Sequence, residues 1–228
     1  MMNLLQAIND RHSVRQYLDK PIEIDKANKL KAFIEDCNKE GKLHFQLILN
    51  EPKAFNSFMA HYGKFSNVKN YIALIGEKSK GMDEIIGYYG AKILIYAQSL
   101  GLNTCWVALT YKKVKTAFTV NKGEKIFSLI SLGYGKTQGV PHKSKDIFDV
   151  SNIKDIQAPE WFKKGVETAL LAPTAMNQQK FYFILNSDDS ISAITKRGPY
   201  AKMDLGIVKY FFEVGASDKH VIWKKENK

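Results

Sequence analysis

Two patterns of apolar and polar positions, one typical of helices and one typical of strands, divide the chain into predicted elements. Leu4–Ile8 is predicted to form a short helix. A longer helix is predicted between an N-cap at Asp25 and a stop at Gly41, since apolar residues recur there on one helical face: Ala27, Leu30, Phe33, Ile34 and Cys37. A third helix is predicted over 83–100, with Gly101 as the residue that ends it.

Short apolar runs between polar or glycine residues predict three strands, at 45–50, 71–76 and 125–135. The stretch GLNTCWVALT, 101–110, is predicted to be a helix end followed by an apolar loop, which would place Cys105 in a loop. A weaker helical pattern covers 112–118. The segment GVPHKSKDIFDV, 139–150, is predicted to be a connecting loop.

The last third of the chain resembles a shortened copy of the first part. FYFILN at 181–186 shares four of six positions with FQLILN at 45–50. A predicted helix precedes each strand, beginning near Pro159 in the second copy, and a helical segment with glycine and aromatic residues follows each. Chance similarity between two buried strands is the alternative explanation. A true repeat predicts two pseudo-symmetric halves in one chain, at 1–150 and 151–228.

Composition narrows the class of protein. The 228 residues are 45% hydrophobic and 25% charged, which is enough apolar material for a folded core. The first residues lack a long apolar run and polar residues interrupt the apolar stretch 91–111, so neither a signal peptide nor a membrane span is expected. Two cysteines give no disulfide framework, and no Cys/His cluster has zinc spacing. A cytoplasmic protein without a metal is therefore expected.

The formal net charge of +11 is compatible with nucleic acid, with an anionic small ligand or with no specific partner. The lysines are scattered and no predicted helix carries a dense basic stripe, so nucleic-acid binding is not expected as the main function. Two basic motifs are more specific: RHSVR alternates Arg11, Ser13 and Arg15, and HKSK places Lys143 and Lys145 around a serine. These groups suit a phosphate, although a solvated basic turn has the same pattern.

Two further segments have the residue types of a binding site. The polar loop APTAMNQQ, 172–179, lies between a predicted helix and a predicted strand, which is where sites often form. Trp106 follows a glycine-ended helix. Its ring is expected either in the core or against a flat aromatic ligand.

Four motifs together resemble those of the FMN-dependent nitroreductase family, in its single-chain pseudo-dimeric branch. They are R-x-S-x-R, G-L-x-T-x-W, L-G-Y followed by K-x-K, and A-P-T-x-x-N-x-Q, and the matching residues are Arg11, Ser13, Arg15, Gly101, Leu102, Thr104, Trp106, Leu132, Gly133, Tyr134, Lys143, Lys145, Ala172, Pro173, Thr174, Asn177 and Gln179. The family normally carries the last motif between its first long helix and first strand, where this chain has CNKEGKLHF instead. The resemblance implies a nitroreductase-like α+β fold, with a mixed sheet flanked by helices and one complete site per chain.

The resemblance also implies that FMN is the cofactor. Phosphate contacts are expected from Arg11, Ser13, Lys143 and Lys145, while Arg15 is expected at the ribityl chain or the pyrimidine edge. The full set of residues expected to contact FMN is Arg11, His12, Ser13, Arg15, Lys64, Trp106, Val107, Ala108, Lys143, Lys145, Pro173, Thr174, Ala175 and Asn177. No catalytic side chain is expected, because a flavin carries the redox chemistry itself.

The prediction from these residues is an oxidoreductase that uses NAD(P)H and FMN to reduce a small molecule such as a nitroaromatic or a quinone. The chain is expected to be a monomer with an internal pseudo-dimer, and a homodimer is the alternative. A flavin-binding or flavin-processing protein without turnover is the second hypothesis, because Leu109 stands where many relatives have a glycine. A basic nucleic-acid-binding protein is the third.

Overall fold

The computed structural model describes residues 3–217 and 219–224. The chain forms two compact units. The first unit comprises the chain up to Met82 together with Lys92–Pro141, and the second comprises Asp83–Ala91 together with the chain from His142 onwards. The predicted halves 1–150 and 151–228, and a pseudo-two-fold relation between them, stay predictions.

A four-stranded sheet lies in the first unit. Its strand order is β1-β2-β4-β3 and each neighbouring pair is antiparallel, with β1 at Gln46–Ile48, β2 at Asn70–Glu77, β3 at Asn103–Val107 and β4 at Glu124–Gly133. A parallel bridge between Ser13 and Thr104 adds one more segment at the outer edge of β3. The predicted combination of a sheet with helices is confirmed; within the sheet the named strands pair antiparallel, and the parallel pairing comes from an isolated bridge beside it.

The centre of this sheet is apolar. β2 is buried from its first residue to Gly76, which explains why its sequence is a continuous apolar run rather than an alternating one. Tyr17 is also buried; its hydroxyl donates to the Val14 carbonyl at 2.7 Å and shares a hydrogen bond of 2.8 Å with Ser131 Oγ. The segment after the first helix is therefore fixed to the sheet by both backbone and side chain.

The two helices predicted before the first strand are present, with different ends: α1 at Leu4–Asp10 and α2 at Ile24–Gly41. A short helix that was not predicted, α3 at Phe58–Tyr62, lies between β1 and β2. The N-cap of α2 is Glu23, and Asp25, the predicted cap, lies in the first helical turn. Gly41 is still helical, because Lys42 itself adopts the left-handed conformation (φ 52°) that ends the helix.

The helix α4, Met82–Ser99, ends as predicted. Gly101 has a φ of 76°, a conformation that glycine adopts without strain, and the Leu102 N–H donates to the Ala97 carbonyl at 3.0 Å. Nowhere in 3–217 or 219–224 is a helix long and apolar enough to cross a membrane.

The second unit is built from helices and a hairpin. α5 spans Glu160–Ala169 with Pro159 as its N-cap, β5 (Phe181–Leu185) pairs antiparallel with β6 (Ile191–Thr195), and α6 spans Ala201–Ala216. Aromatic rings form the core: the Phe212 centroid lies 5.6 Å from that of Phe162, 4.8 Å from that of Phe183 and 5.5 Å from that of Trp223.

Two glycines bring α6 against the first half of α4 within the second unit. A Cβ built on Gly206 would lie 1.9 Å from the Glu84 carbonyl oxygen, and one built on Gly87 would lie 2.0 Å from the Met203 carbonyl oxygen. The two backbones therefore approach too closely for any side chain at either position.

Two local predictions were wrong and one strand was missed. The predicted loop that contains Cys105 is strand β3, because 103–107 pairs with β4 over five residues. The helical pattern at 112–118 gives no helix; Ala117 N–H donates to the Val114 carbonyl at 3.0 Å in a single turn. Strand β6 was not predicted at all. The two similar sequences both form strands, but FQLILN gives an edge strand of the larger sheet and FYFILN gives one arm of the hairpin.

Candidate functional site

The RHSVR segment runs along the outer edge of β3 in the first unit. Arg11 leaves α1 with an extended backbone (φ −77°, ψ 116°). Ser13 then pairs with Thr104, and the Val14 N–H donates to the Thr104 carbonyl at 3.0 Å. In an extended segment alternate side chains point to the same face, so Arg11, Ser13 and Arg15 can contact the same ligand.

Arg11 is a buried cation with no ion-pair partner among residues 3–217 and 219–224. Only 2% of its surface is exposed, and its Nε and Nη1 atoms have no hydrogen-bond partner in the described part of the chain. Burial lowers the pKa of the guanidinium to about 10. An unpaired buried charge is unfavourable for folding, and buried charges in proteins are normally paired or bound to a ligand. The structure thus presents two donor nitrogens without a partner among the described residues, together with a positive charge, at this point.

Three of the polar residues of the segment, Arg11, Ser13 and Arg15, lie near Cys105 of β3. Burial is the main influence on this thiol and raises its pKa, while the positive charges of Arg15 and Arg11 and a hydrogen bond with Ser13 act in the opposite direction. Two guanidinium groups and one hydroxyl of the basic segment therefore lie near this buried sulfur. This proximity was not predicted, because Cys105 was expected in a loop.

The segment around Lys64 lies beside RHSVR. The Ser66 N–H donates to the Arg15 carbonyl at 3.0 Å, and the Arg15 guanidinium carbon lies 6.0 Å from the centroid of the Phe65 ring. Lys64 itself is exposed and has a left-handed backbone (φ 61°). Its backbone is therefore close in the chain to the Arg15 contacts, while its side chain lies in solvent.

The other predicted residues of the first unit lie at the end of strand β3, as Trp106, Val107 and Ala108 do, or within the basic segment, as His12 does. Trp106 is half-buried and Val107 is buried, followed by a half-buried Ala108 and then by Leu109, which is 69% exposed. His12 packs beside Gly139, where a Cβ would approach the His12 Cβ to 2.7 Å.

In the second unit, Gln179 joins the two predicted segments. Its side-chain nitrogen donates to the Lys143 carbonyl at 2.9 Å and to Asn177 Oδ1 at 2.8 Å, and its side-chain oxygen accepts from the Lys145 N–H at 2.9 Å. The Lys145 ammonium donates to the Gln179 carbonyl at 2.8 Å, and Asn177 Nδ2 donates to the Lys143 carbonyl at 2.8 Å. The HKSK segment and the APTAMNQQ loop therefore form one hydrogen-bonded structure.

This loop has an unusual backbone. Met176, Asn177 and Gln179 have φ values of 52°, 53° and 45°, in the left-handed region that residues other than glycine seldom occupy. Thr174 supports the end of the loop by accepting a hydrogen bond of 3.1 Å from the Gln179 N–H. Pro173 and Ala175 complete the predicted set and are half-buried.

A buried carboxylate of α6 holds the same loop. The Ala175 N–H donates to both oxygens of Asp204, at 3.0 and 3.1 Å, and Gln178 Nε2 donates to Oδ2 at 2.8 Å. Asp204 is 5% exposed, and burial raises its pKa to about 6 against the opposing hydrogen bonds of Gln178 and Ala175. Gln179 belongs to a predicted motif but not to the predicted binding residues. Asp204 gave no local signal, because its contact with Ala175 spans 29 positions.

The sequence matches one family model over most of its length. That model is described as "Putative TM nitroreductase" and matches residues 3–216. No curated protein matches the sequence.

Several solved structures share the fold. The crystal structure of a putative nitroreductase from Thermotoga maritima is 22% identical with a TM-score of 0.70, over 99% of this chain and 91% of that chain. A putative NADH dehydrogenase/NAD(P)H nitroreductase from Parabacteroides distasonis is 20% identical with a TM-score of 0.52, over 66% of this chain and 97% of that one. A putative nitroreductase from Desulfovibrio desulfuricans, in complex with FMN, is 15% identical with a TM-score of 0.50, over 70% and 98%. The predicted α+β fold is confirmed by these likenesses.

Proposed function

Because the chain belongs to the TM nitroreductase family, we propose that it is an FMN-dependent oxidoreductase. The observation that supports the cofactor most directly is the buried Arg11 guanidinium, whose Nε and Nη1 lack partners among the described residues. A phosphate ester would satisfy both donors and neutralise the charge. The residues present therefore fit the phosphate end of FMN.

The surroundings of Arg11 support the same ligand. Arg15 and Ser13 lie near the same buried thiol as Arg11, so the first unit alone supplies two cations and a hydroxyl in one region. We assign Arg11 and Ser13 to the FMN phosphate and Arg15 to the ribityl chain or the pyrimidine edge. The backbone around Trp106, Val107 and Ala108 is assigned to the region of the flavin N5, Lys64 to the pyrimidine edge and His12 to the rim of the site.

The proposal extends to the second unit through six residues, Lys143, Lys145, Pro173, Thr174, Ala175 and Asn177. The hydrogen bonds that these residues already make indicate which of them can contact FMN directly. The Lys145 ammonium, which has three N–H donors, donates one hydrogen bond, to the Gln179 carbonyl, within the described part of the chain, whereas the Asn177 side chain is hydrogen-bonded through both its nitrogen and its oxygen. Lys145 is therefore the stronger candidate for direct contact, and Asn177 for holding the loop. One FMN per chain is expected.

Bound FMN would supply hydride transfer between NAD(P)H and a small acceptor such as a nitroaromatic or a quinone. The protein would contribute binding, orientation and charge, and no side chain is assigned a catalytic role. The cationic groups of RHSVR would keep the anionic cofactor in place.

Titration with FMN tests the proposal. Purified protein, stripped of any flavin, is titrated with FMN while flavin fluorescence and visible absorbance are followed. We expect saturation at one FMN per chain. Arg11→Met is expected to weaken the affinity at least roughly tenfold, since hydrogen bonds to charged groups contribute about 1.5–3 kcal/mol. Lys31→Met removes one positive charge from an exposed position of α2 and is expected to leave the affinity unchanged. A protein that binds no FMN would overturn the proposal.

Binding without turnover is the second candidate, because the exposed Leu109 directly follows the proposed ring contacts. Anaerobic addition of NADH or NADPH to the FMN complex separates the two functions. Loss of the flavin absorbance with either nucleotide, and its return on adding a nitroaromatic or a quinone, would support the oxidoreductase. A bound flavin that neither nucleotide reduces would favour the binding protein.

A further inference from the structure

The loop 174–179 is held in a conformation that its own sequence does not favour. Three of its residues, Met176, Asn177 and Gln179, are left-handed although none is a glycine. Such conformations persist only where the surrounding structure enforces them, and they are concentrated at functional sites. The groups that enforce this conformation are therefore candidates for a functional role.

Asp204 is the group that enforces it from α6. An aspartate in the first turn of a helix is common, because it lies near the positive end of the helix dipole. Here, however, both carboxylate oxygens accept the Ala175 N–H, and one also accepts the Gln178 side chain. Gln178 in turn donates to the Pro199 carbonyl at 2.8 Å, so the chain just before α6 is tied to the same loop. The partners of Asp204 thus lie at both ends of the left-handed turn.

The loop transmits this restraint to a second segment. Gln179 is 2% exposed, and its amide uses its nitrogen twice and its oxygen once in bonds to Asn177, Lys143 and Lys145. A displacement of the loop would break these bonds, and the Lys145 ammonium would lose its carbonyl partner. The position of both lysine residues therefore depends on the loop.

We propose that Asp204 is a positioning residue, which fixes the loop 174–179 and, through Gln179, the segment Lys143–Lys145, in the conformation needed to contact the cofactor. This inference rests on the proposed function, since it assigns the restraint to flavin binding. Asp204 is not among the residues assigned to FMN, so its proposed role is indirect.

Hydrogen exchange tests the restraint without any cofactor. Amide exchange of 174–179 is compared in the wild type, Asp204→Asn, Asp204→Ala and Gln178→Ala. The amide in Asp204→Asn would keep an oxygen for the Ala175 N–H but would turn an N–H towards Gln178, so graded effects are expected. Exchange in the loop should rise roughly tenfold or more in Asp204→Ala and less in Asp204→Asn and Gln178→Ala. Lys202→Ala, exposed on the same helix turn, should have no effect.

FMN affinity tests the functional part. The proposal expects the affinity to weaken in the same order as loop exchange increases, with at least a roughly tenfold loss in Asp204→Ala and none in Lys202→Ala. Unchanged exchange in Asp204→Ala and Asp204→Asn overturns the positioning role. Faster exchange with unchanged FMN affinity overturns its link to the cofactor. If Asp204→Ala does not fold, Asp204→Asn and Gln178→Ala decide both points.

The same measurements distinguish failure of the proposed function from failure of the role of Asp204. A wild type that binds no FMN overturns the proposed function and the assignment of the loop to it, whatever the exchange rates show. A wild type that binds FMN, with variants that exchange and bind as it does, overturns only the role of Asp204.

Discussion

Asp204 is expected to make the stability of the protein fall as the pH rises towards neutrality. Burial raises the pKa of its carboxyl from 3.8 to about 6. The folded protein therefore binds this proton more tightly than the unfolded chain does. The stabilisation that comes with the proton is complete below pH 3.8 and is lost as the pH rises through about 6.

The size of this effect follows from the two pKa values. Their difference, 6 − 3.8, is about 2 pH units, which corresponds to about 3 kcal/mol at about 1.36 kcal/mol per unit. Asp204→Asn removes the titrating group and keeps an oxygen for the Ala175 N–H. The free energy of unfolding of the wild type minus that of the variant should therefore decrease by about 2–3 kcal/mol between roughly pH 4 and pH 7. All other titrating groups are common to both proteins and cancel in the difference.

Urea unfolding at several pH values measures this difference. Trp161 and Trp223 lie in the second unit with Asp204, while Trp106 lies in the first. A Trp106→Phe background in both proteins restricts the fluorescence signal to the second unit. A difference in unfolding free energy that does not change with pH would refute the reasoning, and so would one that increases with pH.

Two further predictions concern close packing and buried charge. Gly206→Ala is expected to lower the free energy of unfolding by roughly 2–4 kcal/mol, because its Cβ would lie 1.9 Å from the Glu84 carbonyl oxygen. Urea unfolding followed by circular dichroism checks this against Lys202→Ala, and equal stabilities would contradict it. Arg11→Met is expected to stabilise the FMN-free protein by about 1–3 kcal/mol, since it replaces a buried cation, whose Nε and Nη1 have no partner among the described residues, by an apolar side chain. Thermal unfolding without FMN measures this, and a less stable variant would show that Arg11 has a structural partner.

The helices could be predicted because their signals are local. The apolar face of α2 and the glycine after α4 are both contained within a few turns of sequence. Strand β3 could not be recognised in the same way. Its five residues form a strand only by pairing with β4, about twenty positions later, and the apolar run around Cys105 is equally typical of a buried loop. The helix predicted at 112–118 is absent for a different reason: its sequence has a helical spacing of apolar residues but no cap to support a helix.

In the candidate site, too, the features with a local sequence signal could be predicted and those that depend on distant residues could not. The alternating charges of RHSVR predicted a shared direction for Arg11 and Arg15, and their common influence on Cys105 agrees with it. That Arg11 would be buried without a partner could not be predicted, because burial depends on the sheet edge beside which it lies. Asp204 was missed because its partner Ala175 precedes it by 29 positions and nothing in the intervening sequence indicates the contact.

The exposed Met176 makes the loop accessible to spectroscopy. Its side chain is 79% exposed, although its backbone is part of the restrained turn. Both native cysteines, Cys37 and Cys105, are buried, and burial raises the pKa of each thiol, so neither is expected to react readily with a maleimide dye. Met176→Cys would therefore provide a single reactive thiol, and a fluorophore attached there would report movements of the turn in real time.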